Sequence, residues 1–246
     1  MLSDIAQEDL AAALDRVTAS ALLAAEIGEP PIDPLLVAQQ LGIQVVVDHR
    51  QRQRARFVRL RDFAHDHTQS SIFVRPDPRP ERMHWAVAHE LGEALSGEVF
   101  AVLGIDAEEA PPGSRERIAN ALAGRILVPS AWFGDEAIEC DWDLPALKRR
   151  YATASHELLA RRMLDCDPLV IITVFDHGSH SFRGGNLPWP VPEMTSLERD
   201  CQQEVHERGT AHILVDGNRQ VQGWPVHEPD WKREILRTEC DQWCDD

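Results

Sequence analysis

The chain contains no CxxC pair. Its five cysteines, Cys140, Cys166, Cys201, Cys240 and Cys244, are odd in number and scattered, which argues against a disulfide framework and against a structural zinc knuckle. Cys240 and Cys244 lie four apart and could share a helix face, but no second ligand pair accompanies them. Long uninterrupted apolar runs are also missing. Residues 1–25 are rich in Ala and Leu, yet Asp4, Glu8, Asp9, Asp15 and Arg16 break them up, so the stretch reads as an amphipathic helix and not as a signal peptide or membrane span. Basic residues are in deficit: 25 Lys and Arg against 41 Asp and Glu give a formal net charge of −16. Such a field repels a phosphate backbone and favours basic partners. These absences set the expectation of a protein of the reducing cytoplasm that neither enters a membrane nor binds nucleic acid directly.

What is present fits one large domain or two small ones, with 246 residues to build a core. Residues 5–27 read as a helix ended by Gly28. The punctuation Glu29-Pro30-Pro31-Ile32-Asp33-Pro34 leads into a second, short helix over 35–41. Three strand candidates follow at 43–47, 56–60 and 71–74, then a proline-rich link at 76–80. A helix is expected from about Glu81 to Leu95, with Val87, Leu91, Ala94 and Leu95 on its core side. After an acidic loop, another helix should run from Ser114 to just before Pro129, burying Ile118, Ala119, Leu122, Ala123 and Ile126.

The first of those two helices holds the most informative string, Ala88-His89-Glu90-Leu91-Gly92-Glu93. A zincin helix carries H-E-x-x-H, with both histidines on one face for the metal and the glutamate beside the first as general base. Here the last position is Glu93. Residues four apart share a helix face, and a carboxylate oxygen is an acceptable zinc ligand, so His89 and Glu93 could grip one ion while Glu90 points beside it. Glu116, in the first turn of the following helix, could reach the same ion. Equally, the helix dipole favours an acidic residue there with no metal involved.

Glu29-Pro30-Pro31-Ile32-Asp33, Ala88-His89-Glu90-Leu91-Gly92, and the block from Glu116 through Ala123 into Ile126-Leu127-Val128-Pro129 together resemble the ImmA/IrrE metallopeptidases over roughly residues 10–165. The resemblance implies an α+β fold with a zincin-like (gluzincin) core. It also implies an endopeptidase that cleaves XRE-type helix-turn-helix repressors and so derepresses stress-response or mobile-element genes. Carried over by position, His89, Glu93 and Glu116 would be metal ligands and Glu90 the catalytic base. Glu93 departs from the family's second histidine.

That exchange matters chemically. One imidazole and two carboxylates leave a dipositive ion with its ligands at net 0, where two imidazoles and one carboxylate leave +1. Lewis acidity should fall, and preference should move from zinc toward manganese, iron or magnesium, although zinc is still the first expectation. Three readings stay open: Glu93 is a working ligand; the chain is an inactive zincin-fold scaffold that sequesters a repressor or another partner; or another histidine completes the site. Candidates for the last are His84, about 140° round the helix, His65 and His67 in a polar loop, and His177 with His180.

The segment 144–163 outlines a helix-turn-helix rich in Arg, more suited to packing or repressor docking than to DNA contact given the overall acidity. From about Pro168 the pattern changes to strands, with 169–175, 179–183, 211–215 and 219–224, the last two flanking Asp216-Gly217-Asn218 as a hairpin. Trp231 to Trp243 should form a closing helix. The expected organisation is a peptidase domain over 1–140, a helix-turn-helix-like segment over 141–167 and an α+β accessory domain over 168–246, for which the resemblance implies a sensory role.

Overall fold

The opening helix α1, Gln7–Ala24, forms because Ala13, Leu14, Val17, Thr18, Ala21 and Leu22 recur at helical spacing and are all buried. It stops short of Gly28, where Glu26 takes a left-handed φ of 57°. The computed structural model describes residues 5–62, 67–111 and 113–240, and these divide into two units, 1–136 with 148–155 and 137–147 with 156–246.

In the first unit, helix α2, Pro34–Gln40, starts as the sequence dictates: Asp33 caps it by accepting the Leu35 N–H at 2.9 Å, and Pro34 occupies the first turn. Strands β1 (Ile43–Val47), β2 (Ala55–Asp62) and β3 (His67–Val74) make a sheet in the order β1-β3-β2, with β1 parallel and β2 antiparallel to β3. Strand β2 is therefore an edge. Helix α3, Pro80–Val102, continues well past the expected end at Leu95, because Ser96, Val99 and Phe100 extend its buried face. Ala94, expected in the core, is only half-buried, being on the cleft side of the helix. Helix α4, Ser114–Leu127, buries Ile118, Ala119, Leu122, Ala123 and Ile126 as expected. Helix α5, Ser130–Glu139, follows, and its Phe133 meets buried Tyr151 edge to face at 5.5 Å.

The segment expected to outline a helix-turn-helix contains two short helices, α6, Leu144–Arg150, and α7, His156–Arg162. Most of its cations are already engaged. Lys148 donates to Glu81 and to the Ala152 and Ala154 carbonyls, and Arg150 reaches Glu136 and Glu29. Arg161 pairs with Glu157, and Arg162 with Asp165.

The second unit is built on a five-stranded antiparallel sheet ordered β5-β4-β8-β7-β6, from β4 (Val170–Asp176), β5 (Ser179–Gly185), β6 (His212–Asp216), β7 (Arg219–Pro225) and β8 (Arg233–Cys240). The mixture of helices and these two sheets makes the fold α+β. Strand β8 corrects the expected closing helix over 231–243, of which residues 241–243 lie outside the described ones. Glu234, Arg237 and Glu239 make the segment look helical and exposed, but it sits between β4 and β7, hydrogen-bonded on both sides, and Ile235, Leu236 and Thr238 are buried. Two of its charged residues, Glu234 and Arg237, are fully buried.

Helix α8, Ser196–Arg208, was not foreseen, although Thr195 and Glu198 form a complete capping box at its start. It packs on the sheet through Cys201 and Val205 against Val221 and Leu236. Burial pushes the Cys201 thiol up to about 12, so it is an inert packing group. Glu198 is buried too, which raises its pKa. The Arg183 guanidinium, the Thr195 N–H and the Thr238 hydroxyl more than offset this, and the carboxyl is held below its ordinary value of 4.5. A carboxyl whose folded pKa is depressed stabilises fully above the unfolded pKa and loses that contribution as pH falls through the folded value. Glu198→Gln should therefore destabilise the second unit by about 3 kcal/mol at neutral pH, leaving Arg183 buried without its counter-charge. The variant should also lose part of the wild type's destabilisation below about pH 4.5. Thermal melts across pH check both, and a variant as stable as wild type at pH 7 would refute the argument. Among the described residues no helix is long and apolar enough to cross a membrane.

Candidate metal centre

Two helices make the site, and a glycine lets them touch. At Gly92 of α3 an added Cβ would lie 2.4 Å from the Ala119 carbonyl oxygen and 2.9 Å from the Ala119 Cα of α4. Only a residue without a side chain allows that approach. One turn before Gly92 stands His89, and one turn before Ala119 stands Glu116, so the close crossing brings these two together. His89 Nε2 lies 3.7 Å from Glu116 Oε2. Glu93, four residues after His89, joins them: one ligand atom from each of His89, Glu93 and Glu116 lies within 4.8 Å of the others. His89 and Glu93 are half-buried and Glu116 is exposed. Gly92→Ala should force the helices apart, costing about 1–3 kcal/mol and weakening metal binding as well. Melting temperature and metal titration report the two effects, and an unchanged metal affinity would show that the crossing does not position the ligands.

Two of the carboxylates have hydrogen-bonded anchors. Asn120, one turn after Glu116, donates its side-chain N–H to Glu116 Oε1 at 2.9 Å, leaving Oε2 facing His89. Glu90, next to His89, does not join the trio. Its Oε2 accepts the main-chain N–H of Phe57 on β2 at 2.6 Å. Burial pushes the Glu90 pKa up; the Phe57 N–H and the neighbouring His89 pull it down, Glu93 and Glu116 push it up, and the net shift is upward.

The donor set suits a divalent cation. One imidazole nitrogen and two carboxylate oxygens converge, with Glu90 adding a third negative charge nearby and no Lys or Arg ion-paired to any of the four among the described residues. Without a cation this gathering of like charge is unfavourable. Among the described residues no other histidine belongs to the group. His84 is half-buried on α3 with its Nδ1 unpartnered, outside the trio. His65 lies outside the described residues, and His67 begins β3. In the second unit, His177 packs on Trp231 and His180 on Phe175.

A cleft of about 710 Å³ opens beside Glu90 and Glu93, lined also by Gln53, Arg56, Phe57, Arg59 and Arg115. Sequence reading missed these wall residues. It also missed Asn120, although an Asn four residues after a helical Glu was a readable signal.

No protein-family model matches the chain, and no curated protein matches it. Among solved structures, a Mycobacterium tuberculosis transcriptional regulator resembles it with a TM-score of 0.62 and 17% sequence identity, over 93% of this chain and 75% of that one. At that identity the likeness speaks for the fold alone.

Proposed function

We propose that the protein is a metal-dependent endopeptidase of the ImmA/IrrE type with a zincin-like core, acting in the cytoplasm on an XRE-type helix-turn-helix repressor and so derepressing stress-response or mobile-element genes. The observation that carries this reading is the convergence of His89, Glu93 and Glu116, with Glu93 and the neighbouring Glu90 lining an open cleft. His89, Glu93 and Glu116 would hold the cation, zinc first and manganese or iron as alternatives. When bound, it would supply Lewis acidity toward a peptide carbonyl and toward an attacking water. Glu90 would take the proton from that water and return it to the leaving amine. The Phe57 N–H would orient the carboxylate through one oxygen and leave the other free for the proton. Engagement of Lys148, Arg150, Arg161 and Arg162 within the protein favours a protein substrate over direct DNA contact. A role linked to transcription also agrees with the name of the structural neighbour.

Glu93 favours a second reading, a catalytically silent scaffold that sequesters the same kind of repressor, because a second carboxylate among the ligands weakens the Lewis acid. The test is to load the purified protein with zinc or manganese, measure the bound metal by elemental analysis, and incubate it with candidate XRE-type repressors. Near-stoichiometric metal and metal-dependent repressor fragments are expected. Metal-independent binding of intact repressor would replace the peptidase with the scaffold, and no metal uptake would end the peptidase reading.

A further inference from the structure

The cleft beside the candidate centre carries both signs of charge. Its lining includes Glu90, Glu93 and Glu98 of α3 together with Arg56 and Arg59 of β2 and Arg115 at the start of α4. In a chain of net charge −16 such a cluster of cations is against the average. All three arginines are exposed, and none of them makes an ion pair with an acidic residue among the described ones, although three carboxylates line the same cleft. Two are held instead by ring faces: the Arg59 guanidinium lies 5.4 Å from the Phe57 ring centroid and that of Arg56 lies 6.0 Å from Phe73. Stacking restrains a guanidinium while leaving its in-plane N–H groups free, the arrangement suited to bidentate capture of a carboxylate.

We infer that Arg56, Arg59 and Arg115 make the cleft selective for an acidic peptide segment, so that the substrate carries Asp or Glu beside the bond presented to Glu90. The inference rests on the proposed peptidase site, since it names what occupies that site's cleft. A nucleic acid is the other polyanion an arginine cluster can hold. A dense phosphate backbone would meet Glu90, Glu93 and Glu98 in the same cleft and the long-range repulsion of the whole chain, whereas the spaced carboxylates of a peptide can reach the arginines alone. Glu93 is also withdrawn from the balance when it serves as a ligand, leaving the arginines dominant.

The test uses the full, metal-loaded chain and two fluorescein-labelled peptides that share an apolar centre and differ only in flanking Glu or Gln. Fluorescence anisotropy reads binding, and mass spectrometry of the same samples reads cleavage. The Glu peptide should bind about tenfold more tightly than the Gln peptide at low ionic strength, from three exposed charge pairs worth roughly twofold each, and the preference should shrink as salt is raised. Changing Arg56, Arg59 and Arg115 together to Gln should abolish the preference. Arg16→Gln, an exposed change on α1 of the same unit, should preserve it. Equal binding of the two peptides, or equal loss in the Arg16 control, would overturn the inference. Tighter binding of an oligo-dT strand than of the Glu peptide would overturn it in favour of nucleic acid. A Glu preference without cleavage supports the acidic-segment inference and removes the peptidase reading, so the two fail separately.

Discussion

Glu90→Gln should lower repressor cleavage by roughly 10²- to 10⁴-fold while leaving metal content and repressor affinity close to wild type. The side chains are nearly isosteric, and the amide oxygen of Gln can still accept the Phe57 N–H that now reaches Glu90 at 2.6 Å. What is lost is the ability to take and return a proton. The metal trio of His89, Glu93 and Glu116 excludes Glu90, so its ligands are untouched. Fragment yield over time, with elemental analysis of the same preparation, separates the effects. If the variant cleaves as fast as wild type, Glu90 is not the base. If wild type does not cleave and both proteins hold the repressor equally, the scaffold reading stands and Glu90 has no chemical task.

Much of this site can be read from the chain because each part of it is local. His89 and Glu93 share a helix face by spacing, and Glu116 opens the next helix with Asn120 four residues on. The sequence alone could not show that the two helices touch at Gly92 and Ala119, a long-range contact that depends on a side chain being absent. The partner of Glu90 was equally hidden, since a main-chain N–H on an edge strand leaves no mark in residue types. The cleft arginines failed to register for a related reason. Arg56 and Arg59 stand three apart on β2 and Arg115 opens α4, a spacing with no local pattern, and only the fold brings them into one cleft with the carboxylates of α3. In the second unit the error ran the other way. Residues 231–243 have a helical composition, but β8 fills the place between β4 and β7, and burial of Glu234 and Arg237 is a tertiary outcome that local propensity does not contain. Helix α8 is legible through its Thr195 and Glu198 capping box, although it lies between two segments of strand-like pattern.

The second large effect concerns the ligands themselves. Loss of an outer-shell partner typically weakens a metal site by about 10- to 100-fold, so removing a direct ligand should cost at least about 100-fold. His89→Ala is expected to abolish near-stoichiometric metal, because His89 supplies the only nitrogen of the trio and faces Glu116 at 3.7 Å. Glu116→Ala should do nearly as much, whereas Asn120→Ala should fall in the milder outer-shell range, since it only orients Glu116 through its 2.9 Å hydrogen bond. Glu93→His runs in the opposite sense. It replaces one carboxylate by an imidazole, restores +1 at a dipositive ion and shifts the donor set toward nitrogen, so zinc affinity should rise relative to manganese. Competitive titration with both metals reads the whole series. Equal affinities across His89→Ala, Glu116→Ala and wild type would show that the three groups meet without a cation, and His89 and Glu116 would then be an ion pair joining α3 to α4. A Glu93→His variant that gains zinc and also gains cleavage would assign the limit on activity to Glu93. One that gains zinc without cleavage would place the obstacle elsewhere in the cleft.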